Sequence, residues 1–166
     1  MFSSFKKRRE FNRIVNDIKT IQIQGARNIA KAALYTYSLF PDEKHKRILI
    51  KVRPTEPMLH RVLYEVNKYP YEGILAHFDL AQEKINQNTM KVIKNKDIIF
   101  THCHSTNVVR ALIYAKKQKL KFEVFNTETR PLFQGRKTAV ELSRAGISVT
   151  TFVDSALGLA LSKKTE

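Results

Sequence analysis

The chain has 166 residues, 43% hydrophobic and 27% charged, which suits one medium domain or two small ones sharing a core and excludes a disordered or fibrous protein. One cysteine excludes an intrachain disulfide framework and fits a reducing, cytoplasmic compartment, and no apolar run approaches the length of a membrane span. A net charge of +15, from 30 basic and 15 acidic residues, favours polyanionic partners: nucleic acid, acidic lipid or phosphorylated metabolites.

The start, "MFSSFKKRRE", places its charges after a few mixed residues, not before a long apolar stretch, so export is not expected. Residues 4 to about 94 read as helical. Phe11, Ile14, Val15 and Ile18 recur at helical spacing, and the Ala-rich 25–40 offers a stripe of Ile29, Ala32, Ala33 and Leu34. "PDEKHKR" breaks that pattern, and "RILIKV" (47–52) reads as a strand or an extended pass. Thr55 is the expected cap of the next helix, with Glu56 and Pro57 in its first turn and Met58, Val62, Leu63 and Val66 on its face. A long amphipathic helix is expected over 71–94, carrying Ile74, Leu75, Phe78, Ile85 and Met90.

The second half alternates. Strands are expected at 97–102, 122–127 and 147–153. Helices are expected at 105–119, capped by Ser105, at 135–146, stopped by Gly146, and from Ser155. The fold class is therefore α/β: an N-terminal helical domain (1–94), then a truncated Rossmann-like parallel β-α-β-α-β-α unit (95–166). Three strands make a small sheet with open edges, and the sheet is expected to be completed by a longer protein or another chain.

Ligands of such sheets collect at the carboxyl ends of the strands. There the sequence places "THCHS", "NTETRPLFQGR" and "DSA". Strand alternation puts His102 and His104 on one face and Cys103 on the other, so "HCH" is not expected to grip one metal ion. Cys103, just ahead of a helix cap, is either a reactive thiol or a small buried hydrophobe. Asp154 either caps the next helix or serves as an acid or base facing Cys103. Arg130, with Gln134, Gly135, Arg136 and Lys137 at a helix start, suits a phosphate or is a solvated loop. Gly25 with Arg27, and Arg53 with Pro54, read as phosphate-approaching turns or as plain loops. "KKRR", "KHKR" and "KKQKLK" are scattered and read as solvated faces, with no zinc-finger spacing or RNP-like motif beside them.

Taken together, "IQGARNIAKAA", "VRPTEP", "THCHS", "TETRPLFQGRKTAVELSRAGI" and "FVDSALG" resemble one superfamily. It comprises the archaeal ribose-1,5-bisphosphate isomerases, the methylthioribose-1-phosphate isomerases and the alpha, beta and delta regulatory subunits of translation initiation factor 2B. The isomerase branch is the most similar. The resemblance implies Cys103 and Asp154 as the catalytic pair, and Gly25, Arg27, Arg53, Arg130, Gln134 and Lys137 as substrate contacts. It implies a phosphorylated sugar substrate, no metal or redox cofactor, and a homo-oligomer or a complementing C-terminal chain. The sequence departs from the pattern twice. Gln24 stands where the family's Arg-Gly-Ala stretch begins, and the family's later Gly-Ala-Asp and Asn-Lys-Gly-Thr stretches do not occur in this sequence. A sugar-phosphate isomerase, or its N-terminal piece, is the reading the residues favour. A noncatalytic regulatory subunit that binds initiation factor two is the alternative. A nucleic-acid binder is a third, and no membrane role is expected.

Overall fold

The structure is a computed structural model and describes residues 2–162. Its contacts form two compact units, one up to Asp79 and one from Leu80. The divide falls inside a helix, ahead of the boundary expected after residue 94.

The first unit is helical: α1 (Phe2–Lys19), α2 (Ala26–Leu39), α3 (Glu43–Val52), α4 (Pro57–Glu65) and the start of α5 (Tyr71–Val92). Its core joins Phe11, Ile14 and Ile18 of α1 to Ile29, Ala30, Ala33 and Leu34 of α2, Leu49 of α3, Leu59, Val62 and Leu63 of α4, and Ile74 of α5. The expected stripes are there, and the two small, fully buried alanines let α2 lie close to its neighbours. The run at 47–52 is helix, not strand. Asp42 explains it: its carboxylate accepts the His45 backbone N–H at 2.9 Å, a first-turn cap that the apolar run conceals. Leu49 is fully buried, while Ile48, Ile50 and Val52 pack partly on the core, so the run wraps one helix face. The cap of α4 is Glu56, not Thr55, and its side chain makes no cap bond. Pro57, which lacks an N–H and has φ preset for a helix, fixes the first helical position one residue later than a threonine cap would.

The second unit carries β1 (Ile98–Thr101), α6 (Thr106–Lys117), β2 (Glu123–Thr127), α7 (Gln134–Arg144), β3 (Ser148–Phe152), a 3-10 turn (Asp154–Ala156) and α8 (Leu157–Ser162). The helix expected from Ser155 continues toward Lys163, which lies outside the described residues. The strands are parallel in the order β1-β2-β3, with Phe100 opposite Phe125 and Phe125 opposite Thr150. This mostly helical α/β architecture with a small parallel sheet is the one expected. β2 is the buried centre: Val124, Phe125, Asn126 and Thr127 are all enclosed. Ser105 caps α6, accepting from the Val108 N–H. Gly146, at φ 75°, ends α7. Its N–H reaches the Ser143 carbonyl and the Ile147 N–H reaches Leu142, the double bond of a Schellman stop.

Gly135 is the tightest point. A Cβ there would lie 1.7 Å from the carbonyl oxygen of Thr127, so α7 starts flush against the end of β2. Buried Asn126 secures that approach, donating from Nδ2 to the Gly135 carbonyl at 2.7 Å and accepting from Thr151 Oγ1 at 2.8 Å. Gly135→Ala therefore forces backbone apart and should destabilise the chain by about 3 kcal/mol, the upper range for overpacking. Gly158→Ala, where a Cβ meets nothing within 4 Å, should change stability little. Urea midpoints of the two variants check this; equal shifts would contradict it.

Candidate active site

The chain turns sharply at the end of β1. Cys103 has φ 66°, a left-handed conformation that a side-chain-bearing residue adopts only when its surroundings impose it. Three groups do so. The Cys103 N–H donates to Thr129 Oγ1 at 2.9 Å, Thr138 Oγ1 donates to the Cys103 carbonyl at 2.9 Å, and the thiol donates from Sγ to Gln134 Oε1 at 3.2 Å. The thiol is half-buried. It is neither enclosed filler nor a free surface group.

Asp154 follows β3. Its carboxylate does not cap the next helix. Oδ1 accepts from the Thr129 N–H at 2.8 Å and Oδ2 from the Arg130 N–H at 2.7 Å. The two amides belong to the loop after β2, so Asp154 clamps a neighbouring strand end. The Arg130 amide, then the Thr129 amide, the Thr127 hydroxyl and nearby His102 hold the carboxyl below its ordinary value, against a smaller opposing effect of desolvation. It is ionised at neutral pH.

Thr129 thus touches both sides: its backbone N–H binds Asp154 and its hydroxyl binds the Cys103 amide. It too is left-handed, at φ 60°, an expensive conformation for a β-branched residue. The histidines flank this line. His102 Nδ1 lies 2.5 Å from Thr127 Oγ1, and His104 Nδ1 lies 3.0 Å from Thr138 Oγ1. The His104 side chain is 5% exposed. Burial, and then Lys137, push its pKa down, so the ring is neutral at pH 7.

Arg130 is exposed, with Nε 3.8 Å from Glu128 and its guanidinium over the Phe133 ring. Lys137 lies beside Glu141 at 4.0 Å. The start of α7 is less open to an anion than the sequence implies. The Gly135 N–H already donates to the Glu128 carbonyl, and the Arg136 N–H to that of Phe133. Among the described residues no three His, Cys, Asp or Glu side chains gather as a metal-binding group.

Gly25, Arg27 and Arg53 belong to the first unit. Gly25, at φ 84°, precedes α2. Arg27 is only 15% exposed and is ion-paired with Asp79 at 2.5 Å. Arg53 ends α3 with Nη1 buried and without a partner among the described residues.

A family model described as the initiation factor 2 subunit family matches residues 43–165. The chain belongs to that family. Among its relatives, ribose 1,5-bisphosphate isomerase of Methanocaldococcus jannaschii is 35% identical over 166 aligned positions, covering 84% of this chain and 54% of that protein. The enzyme of that name from Thermococcus kodakarensis is 32% identical over 183, covering 89% and 56%. The fold is similar to that of translation initiation factor eIF-2B of Pyrococcus horikoshii OT3, with a TM-score of 0.72 at 23% identity over 90% of this chain and 61% of that one. The chain spans about half the length of the curated relatives it matches.

Within the initiation factor 2 subunit family fold, the structure brings Cys103, Asp154, Arg130, Gln134 and Lys137 to one end of the sheet. Sequence reasoning did not single out Thr127, Thr129 and Thr138. The one available signal was a cluster of hydroxyls beside "THCHS" and "TETRP". The clamp also predicts a pH dependence. Because the folded carboxyl titrates below its unfolded value of 3.8, its contribution to stability is present above that value and is lost as pH falls through the folded one. Asp154→Asn should therefore destabilise the protein at pH 7, and the difference should shrink below pH 3.8. Urea unfolding at pH 7 and pH 3 checks this; a difference that grows on acidification would contradict it.

Proposed function

We propose that this chain is an aldose–ketose isomerase acting on ribose 1,5-bisphosphate, or the N-terminal piece of one. The observation that carries the reading is the Cys103–Thr129–Asp154 line: a thiol-bearing turn after β1 and an ionised carboxylate after β3, each bonded to Thr129 in the loop after the central strand β2. The two relatives named ribose 1,5-bisphosphate isomerase support the substrate.

The conversion gains and loses no atoms or electrons. The bond from the ring oxygen to C1 breaks, its electron pair goes to the oxygen, and the oxygen takes a proton. C2 then gives up its proton, and that electron pair joins C1 to C2. C1 is reprotonated as the 2-hydroxyl loses its proton and becomes the ketone of ribulose 1,5-bisphosphate. Two proton-transfer groups suffice, with no redox cofactor. Cys103 gives the ring oxygen its proton and, as thiolate, carries the C2 proton to C1. Asp154, already ionised, accepts the hydroxyl proton and releases it to solvent, and solvent returns one to the thiol.

Two phosphates need cations. Arg130 follows Thr129 and Lys137 precedes Thr138, the two residues bonded to the Cys103 backbone, and Arg53 has a buried Nη1 with bonding capacity to spare. Arg27 would have to leave Asp79 to bind a phosphate. That pairing, with Gln24 in place of a cation, favours a second reading: a noncatalytic subunit that binds initiation factor two and assembles with copies or relatives of itself.

Mixing the chain with ribose 1,5-bisphosphate, alone and with any separately encoded C-terminal partner, separates the two. Ribulose 1,5-bisphosphate should form in at least one mixture. Cys103→Ala and Asp154→Asn should each lower kcat by roughly 100- to 10,000-fold with little change in KM, the usual worth of a proton-transfer group. Absence of product in both mixtures, or full activity in Cys103→Ala, would sink the isomerase.

A further inference from the structure

The run "KKQKLK" (116–121) has no part in the active site, and the fold gives it company. It forms the end of α6 and the loop into β2, at the amino ends of the strands, opposite the end that carries Cys103. The loop between α5 and β1 meets it there. The Lys96 N–H donates to the Lys121 carbonyl at 2.7 Å, and the Lys121 N–H donates to Asn95 Oδ1 at 2.9 Å. These bonds pin two lysines side by side. Lys96 is also held left-handed, at φ 73°. A concavity of about 420 Å³ opens beside them, lined by Lys96, Lys116 and Lys121 with Glu123, Gly146 and Ser148. Gly146 lies beside Lys116: a Cβ there would make only ordinary contact, at 4.0 Å, with the lysine Cε. Lys94, Lys117 and Lys119 stand exposed in the same two loops and the helix end.

Like charges fixed this close repel unless an anion joins them. Among the described residues the lysines in ion pairs are Lys46 and Lys137, and none of these six is among them. Lysines in a last helical turn can simply offset the helix dipole, which accounts for Lys116 and Lys117. It does not account for Lys96, Lys119 or Lys121, which lie in loops. Six cations against Asp97 and Glu123 exceed what one small phosphate needs, and they spread over two loops and a helix end. Phe122 also lines the concavity, but it is buried and does not offer its ring for stacking a base.

We propose that this basal face binds the phosphate backbone of a nucleic acid without regard to base sequence, one phosphate seating between Lys96, Lys116 and Lys121. The proposal is independent of the isomerase reading, because the opposite end of the sheet carries that site. Fluorescence anisotropy of the full chain with a labelled 20-nucleotide single-stranded RNA, from 50 to 200 mM salt, tests it. Binding should weaken steeply with salt. The triple variant Lys96→Asn, Lys116→Gln, Lys121→Gln should bind at least 10-fold more weakly. Its salt slope should be shallower by about 0.7, the contribution of one phosphate contact on a single strand. A control of equal charge loss, Lys6→Gln, Lys7→Gln, Arg9→Gln on α1, should stay within twofold of wild type. Circular dichroism melts confirm that both variants fold. Equal losses in the two triples, no binding at 50 mM salt, displacement by pyrophosphate at equal phosphate concentration, or equal retention on phosphatidylserine vesicles would each overturn the proposal.

Discussion

The candidate site depends on one carboxylate. Asp154, at the end of β3, accepts the amides of Thr129 and Arg130 and so ties the loop after β2 to the neighbouring strand. Parallel strands are separated by whole helices in sequence, so their ends have no covalent reason to stay in register. A carboxylate bonded by two amides provides one. The hydroxyl of Thr129 then fixes the Cys103 amide, and the turn after β1 is set in its left-handed form. The bonds that lower the carboxyl's pKa are the bonds that build the site, so the assembled site favours the ionised form of Asp154.

Strain gathers at the same end. Cys103, Thr129 and Phe133 all have positive φ, each a conformation worth about 1–3 kcal/mol of strain. A fold tolerates such residues where hydrogen bonds over-determine them, and at Cys103 and Thr129 they do. Below them, the close approach of Gly135 to Thr127 and the buried amide of Asn126 anchor α7 to β2. The rigid part of the sheet therefore positions the strained part. The amino ends of the strands carry clustered lysines, two of them, Lys96 and Lys119, also left-handed, so one small sheet presents two chemically different ends.

Much of this was legible in the sequence. The alternation after residue 97 gave the parallel unit, and it also placed Cys103 and Asp154 just past strands, because strand ends follow directly from apolar runs. The 47–52 reading, and the cap alternative for Asp154, miss for a shared reason. At 47–52 three apolar residues in succession, with Val52 just beyond, look extended, and the Asp42 cap, an interaction outside the run, marks them as helical. Asp154 looks like a cap from its place before a helix, and only the tertiary position of the β2–α7 loop redirects it. Hydroxyl partners such as Thr129 and Thr138 carry no periodic signal at all. The grouping of Lys96 with Lys121 is equally invisible, since a backbone hydrogen bond across 25 residues makes it.

The central claim is that Asp154 and Cys103 are coupled through Thr129. Cys103 is the only cysteine in the chain, so the rate of its alkylation by iodoacetamide at fixed pH reports on this site alone. A double-mutant cycle of Asp154→Asn and Thr129→Val measures the coupling directly. The account predicts that each single variant changes the rate several-fold and that the double variant changes it by clearly less than the product of the two. Independent, multiplicative effects, or a rate unchanged by Asp154→Asn, would contradict it.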